Sequence, residues 1–170
     1  MIRFSHAPDD SDPTLRTHLA DAAATLALGA QLAPALTPGL VIYLDGELGA
    51  GKTTLVRGVL RALGHDGNVK SPTYTLIEPY VVSRLNLYHF DFYRFTSAEE
   101  YLEAGLEEYF NAQGVCVVEW PQKAQPYVAA PDVVIALSVG TDGRDASIRP
   151  MTETGRQCTE KLAALPPPPC

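Results

Sequence analysis

A single α/β domain, with a central mixed sheet flanked by helices, is the fold class this sequence predicts, and three observations carry it. Two short runs, LVIYL at 40–44 and VCVV at 115–118, are apolar at every position, the pattern of interior strands in a sheet covered by helices. Two segments, 22–33 and 52–63, have helical character, and the second places Leu55, Val59, Leu60 and Leu63 at helical spacing. Alternating or β-rich stretches surround them at 14–19, 67–93 and 132–148. At 170 residues and 46% hydrophobic, the chain has the length of one domain and can bury a core without disulfide staples.

Taken in order, residues 1–13 hold three acids and two prolines with little apolar pattern, and read as a flexible arm. In TLRTHL (14–19), Leu15, Thr17 and Leu19 alternate with Arg16 and His18, as in a half-buried strand. Asp21 is placed to cap AAATLALGAQLA (22–33), a helix that ends near Pro34 and Pro38. The apolar strand at 40–44 is bounded by glycines, and the helix KTTLVRGVLRAL (52–63) stops at Gly64. GNVKSPTYTLIEPYVV (67–82) and RLNLYHFDFY (84–93) form most simply an antiparallel pair joined at Ser83–Arg84. Pro72 and Pro79 make the first of these an edge, or partly loop. SAEEYLEAG (97–105) opens with a Ser97/Glu100 capping box and closes on Gly105, and LEEYF (106–110) adds a further helical turn. DVVIALSV (132–139) and ASI (146–148) read as strands around a turn at Asp142–Gly143. The proline-rich tail, 151–170, is expected to be disordered, which leaves 14–150 as the folded domain.

Charge and composition narrow the function. Thirteen basic against twenty acidic residues give a net charge of −7, which disfavours direct binding of RNA or DNA by this chain alone. No run approaches the roughly 18–20 apolar residues of a membrane span, and the polar, acidic start is not a secretory signal. Cys116, Cys158 and Cys170 lack metal-ligand spacing and are odd in number, so a reduced, soluble, cytoplasmic protein is expected.

The chemistry concentrates between strand 40–44 and the helix after it. Gly46-Glu47-Leu48-Gly49-Ala50-Gly51-Lys52-Thr53 fits G-x-x-x-x-G-K-[ST] in the strand-then-helix context that a P-loop requires. Glycines let backbone N–H groups turn inward onto phosphate oxygens, and the helix N-terminus adds free donors and partial positive charge. Lys52 can reach the β- and γ-phosphates, Thr53 can ligate Mg²⁺, and Thr54 is a first-turn residue able to donate to phosphate. Such a site needs an acid near the metal. Glu119, at the end of VCVVE, holds that place, against the plainer reading of a solvated carboxylate. Asp91 in YHFDFYR is the other well-placed acid, able to orient the attacking water or a metal-bound water, or else to pair with Arg94 or Arg84. Ser71–Thr75 reads either as a switch segment that senses the γ-phosphate or as a plain Ser-Pro turn. His65 and His89 have no partners at ligand spacing and read as structural, and Trp120, which follows Glu119, reads by default as core, with proximity to the nucleotide as the alternative.

In order and spacing, GELGAGKTT, VKSPTYTLIEPY, YHFDFYRF, EEYLEAGLEEYF, VVEWPQ and the late Gly143-Arg144 resemble the TsaE (YjeE) family, from about Leu19 to Arg149. That family comprises small P-loop ATPases of bacterial tRNA threonylcarbamoyladenosine modification. The resemblance implies ATP and Mg²⁺ as cofactors, with Thr25 near the nucleotide, Glu47 to Lys52 in the phosphate loop, and Thr53 and Glu119 on the metal. It implies Asp91 as a carboxylate needed for hydrolysis, Arg144 as an arginine approaching the nucleotide, and Ser71–Tyr74 as the switch. It further implies the partners TsaB and TsaD, with tRNA engaged only through them. A GTPase switch is the first alternative, but N-K-x-D is absent, as is D-x-x-G after the P-loop. A small-molecule kinase is the second, but the nine arginines form no lid cluster. A nucleotide-dependent scaffold without turnover is the third.

Overall fold

The computed structural model describes residues 2–6, 11–82 and 85–164. The apolar runs become the middle of the sheet, because residues with no polar face cannot stand at an edge. β3 (Val41–Asp45) lies between β6 (Gly114–Glu119) and β7 (Val133–Gly140), parallel to both, and β5 (Leu85–Asp91) runs parallel to β6 on the far side. Antiparallel strands extend both flanks: β4 (Ile77–Val82) against β5, then β8 (Gly143–Pro150) against β7, and β2 (Leu15–Leu19) against β8. With β1 (Ser5–His6) outermost, the described residues form one eight-stranded mixed sheet in the order β1-β2-β8-β7-β3-β6-β5-β4.

Two cores sandwich this sheet. Ile42, Leu44, Leu87, Val115 and Val117 face the helices α1 (Ala22–Leu32) and α2 (Lys52–Ala62), while Tyr43, Phe90, Phe92, Cys116 and Val118 pack on the other side with Tyr101 and Leu106. The Asp21 carboxylate accepts the Ala24 N–H at 2.8 Å, the cap its position predicts. The α1–α2 crossing is a backbone contact. A Cβ on Gly58 would stand 2.3 Å from the Leu26 carbonyl oxygen, and one on Gly29 would stand 2.3 Å from that of Leu55. α3 (Glu99–Glu103) keeps half of its capping box: Glu100 accepts the Ser97 N–H at 3.0 Å, whereas the Ser97 hydroxyl accepts from Glu99.

Three expectations change. The arm at 1–13 is not loose where it is described, since Ile2 is buried and Ser5–His6 pairs with β2. The region after Pro150 is not disordered over Glu153–Ala164, which form α4 with Cys158, Thr159 and Leu162 buried. Thr152 caps that helix, accepting from the Gly155 N–H at 3.1 Å and donating to Asp132 at 2.7 Å. Finally, the β7–β8 turn is one residue earlier than expected: Gly140 pairs with Gly143, so Thr141 and Asp142 are its central residues. The expected junction at Ser83–Arg84, and the tail from 165, lie outside the described residues.

Candidate functional site: the cleft over the phosphate loop

Parallel strands that share a direction deliver their C-terminal ends to one rim, and ligands of α/β sheets bind outside that rim. Here β3 runs into the loop 46–51, β6 ends on Glu119 and β5 ends on Asp91. The register makes Glu119 the Cα partner of both Leu44 and Asp91. Residues far apart in sequence are thereby set side by side. The loop then turns into α2 through Gly49 and Gly51, at φ of +79° and +105°, a backbone region that side chains disfavour. The first N–H groups of α2 have no intrahelical acceptors and face the cleft with the helix dipole behind them.

The cleft, of roughly 300 Å³, is lined by Leu48, Gly49, Gly51, Lys52, Thr53, Thr54, Ser71, Thr73, Asp91, Glu119, Trp120 and Arg144. Lys52 is 94% buried, and its ammonium donates to the Gly46 carbonyl, stands 3.7 Å from Glu119 Oε1 and sits 4.5 Å above the Trp120 ring. It is therefore a desolvated cation at the mouth of an N–H-lined loop. Glu119, also buried, takes a 2.7 Å hydrogen bond from His89 Nε2 on its other oxygen. Asp91 is buried and held by three hydrogen bonds: Oδ2 accepts from the Ser71 hydroxyl at 2.8 Å and the Thr73 hydroxyl at 2.9 Å, and Oδ1 accepts the Tyr93 N–H at 2.9 Å. The segment 71–75 is thus no plain turn, because two of its side chains are tied to a carboxylate at the rim. Arg94 does not pair with Asp91. Its guanidinium stacks on Tyr74, 3.9 Å from the ring centre. Arg84 lies outside the described residues.

Arg144 comes from β8, where it pairs with Leu19 of β2, and it donates to the Gly49 carbonyl at 3.2 Å. Thr25 sits behind the loop. Its methyl group lies 3.6 Å from where a Cβ on Gly51 would stand, while its hydroxyl turns back to the Asp21 carbonyl at 3.3 Å. Glu47 points outward and Ala50 is buried, so neither side chain lines the cleft. Two residues are placed differently from their default sequence reading. Trp120 packs on the edge of the second core and also, at φ +56°, turns out of β6 to wall the cleft under Lys52. His89 is buried as expected, but against a cleft carboxylate. The signal available was its place two residues before Asp91, on the same inward face of an alternating strand. His65 meets Tyr80 edge-on at 5.0 Å, a packing role.

A mixed sheet wound around a glycine loop, a buried lysine at the helix entry and acids at the adjoining strand ends define a P-loop NTPase fold. The family model described as "Threonylcarbamoyl adenosine biosynthesis protein TsaE" matches residues 19–147, and the chain belongs to that family. It is 43% identical over 117 residues to the tRNA threonylcarbamoyladenosine biosynthesis protein TsaE of Haemophilus influenzae, covering 69% of this chain and 74% of the relative. The protein of the same description from a Nostoc species is 40% identical over 148 residues, 84% of this chain and 90% of the relative. The crystal structure of Bacillus subtilis YdiB superposes with a TM-score of 0.76 at 31% identity, covering 94% of this chain and 97% of that one.

Proposed function

We propose that this chain is the ATP-binding and ATP-hydrolysing subunit in threonylcarbamoylation of adenosine 37 of tRNA, acting in the cytoplasm on a complex of TsaB and TsaD. The observation that carries the ATPase reading is the convergence on one cleft of the Lys52 ammonium, the α2 N-terminus, Thr53, Glu119 and Asp91. The names borne by its relatives support the pathway. With a net charge of −7, tRNA contact falls to the partners.

Phosphoryl transfer needs chiefly positioning and charge neutralisation. Loop N–H groups and Lys52 grip the triphosphate, and Lys52 exchanges its Gly46 carbonyl for phosphate oxygens. Arg144 stands beside Gly49 and Gly51, where it reaches the nucleotide. One carboxylate and one hydroxyl, Glu119 and Thr53, are hard oxygen donors that suit Mg²⁺ shared with phosphates and water. An ion held there would supply neutralisation of negative charge on the phosphates. Asp91, or the Ser71 and Thr73 hydroxyls it holds, positions the attacking water. Among the described residues no arginine finger faces the cleft besides Arg144, so turnover is slow until partners complete the site.

Calorimetry with Mg²⁺-ATP tests this. Lys52→Ala removes charge-assisted bonds worth about 1.5–3 kcal/mol each, and affinity falls at least about tenfold. Glu119→Ala weakens Mg²⁺-dependent hydrolysis more than metal-free binding. Parent-like hydrolysis by either variant refutes that residue's role, and preference for GTP over ATP in competition refutes the ATPase reading.

A further inference from the structure

Glu119 is a buried carboxylate with two oxygens on different partners. Oε1 faces Lys52 at 3.7 Å and Oε2 is bonded to His89 Nε2 at 2.7 Å. His89 has no exposed surface and does not line the cleft, so it touches neither solvent nor ligand. Its position follows from the sheet. Leu85, Leu87, His89 and Asp91 alternate onto one face of β5, and Val117 and Glu119 share that face on β6, because parallel neighbours in register point the same way. A leucine at 89 would continue the apolar stripe of Leu85 and Leu87. It would leave the carboxylate with only a lysine that must leave for the phosphates, and a buried carboxylate without partners is costly.

We propose that His89 is a positioning residue: its Nε2–H fixes Glu119 Oε2, so that Oε1 is presented to the cleft and to the divalent ion of the nucleotide complex. This rests on the function proposed above. The imidazole's other nitrogen, Nδ1, has no hydrogen-bond partner among the described residues. A bare lone pair there is tolerable, whereas an N–H would be a stranded buried donor. The proton therefore sits on Nε2, where it meets the carboxylate. The His89 ring sets which oxygen Glu119 offers, as outer-shell partners of metal ligands commonly do.

The test compares the parent with His89→Leu and His89→Gln. The glutamine Nε2 occupies nearly the place of the imidazole Nε2 and keeps the donor. Mn²⁺ affinity of the ADP complex is read by electron paramagnetic resonance, and ADP affinity in EDTA by calorimetry. His89→Leu weakens Mn²⁺ binding by about 10–100-fold, while ADP affinity in EDTA changes less than about threefold, and His89→Gln restores most of the metal affinity. Unchanged Mn²⁺ affinity in the leucine variant overturns the proposal, as does a glutamine variant no better than leucine. If the leucine variant does not fold, ¹⁵N resonances of the parent imidazole decide: the Nε2–H tautomer supports the proposal and the Nδ1–H tautomer refutes it. A parent that binds no nucleotide sinks the proposed ATPase, and the tautomer still judges His89 separately.

Discussion

Adding one methyl group at the α1–α2 crossing should destabilise this protein, although the same change stabilises an ordinary helix. Replacing a helical glycine by alanine gains about 1 kcal/mol from backbone propensity. At Gly58, however, the new Cβ would lie 2.3 Å from the Leu26 carbonyl oxygen and 3.0 Å from the Leu26 Cα. Both are backbone atoms, which no rotamer change can clear. Raising 2.3 Å to the 3.4 Å of an ordinary close contact pushes the helices apart by 1.1 Å. A gap of that size strips contacts from Leu28, Leu32, Leu55 and Val59 around the crossing. Overpacking of this kind costs about 1–3 kcal/mol or more. Because the clash involves backbone on both helices, we place the gross cost at the upper end, leaving a net loss of about 2 kcal/mol. Urea unfolding of Gly58→Ala and Gly29→Ala measures this. The double variant should lose less than the sum, since the first methyl already opens the gap. Thr25 lies one turn before Gly29 and behind Gly51, so Mg²⁺-ADP affinity should fall in parallel. A Gly58→Ala protein more stable than its parent would falsify the close-contact account.

Other consequences are equally direct. Asp91→Asn keeps an acceptor for the Ser71 and Thr73 hydroxyls and should fold with about 1 kcal/mol of lost stability. Its single-turnover ATP hydrolysis should drop about 10²–10⁴-fold with nucleotide binding retained, and undiminished hydrolysis would remove Asp91 from the catalytic group. Burial pushes the Cys116 thiol up to about 12 and the Cys158 thiol up to about 11. Neither should react with iodoacetamide at about pH 8 until urea is added, as peptide mass spectrometry would record. His18 is raised above its ordinary 6.5, chiefly by its hydrogen bond to Asp145. A raised histidine stabilises the fold when protonated, so that contribution is complete below 6.5 and lost as pH climbs through the raised value. His18→Gln should therefore lower the urea midpoint at about pH 5.5 and leave it unchanged at about pH 8.5. The opposite order would contradict the pairing.

The phosphate loop was readable in the chain because its physics is local. A buried strand, a run of glycines and a helix beginning at Lys52 are contiguous, and each element's pattern shows without its neighbours. Asp21 as a cap and the edge position of β4, with Pro79 in it, were equally legible. Local patterns misled at the ends of the chain. The acids and prolines of the arm hid an edge strand held by its pairing with β2, which no local pattern shows. The prolines of the tail hid the spacing of Cys158 and Leu162, which bury against a surface the rest of the sheet must first build.

What the sequence determined alone was the identity of each chemical group and the stretch of backbone that turns around phosphate. The tertiary structure decided which groups meet. Strand order β5-β6-β3 sets Asp91 beside Glu119, brings His89 under the same carboxylate, and lets Trp120 swing out beneath Lys52. Such neighbours are fixed by hydrogen-bond register between strands separated by dozens of residues. That register is settled only when both faces of the sheet find their cores, so no window of sequence contains it.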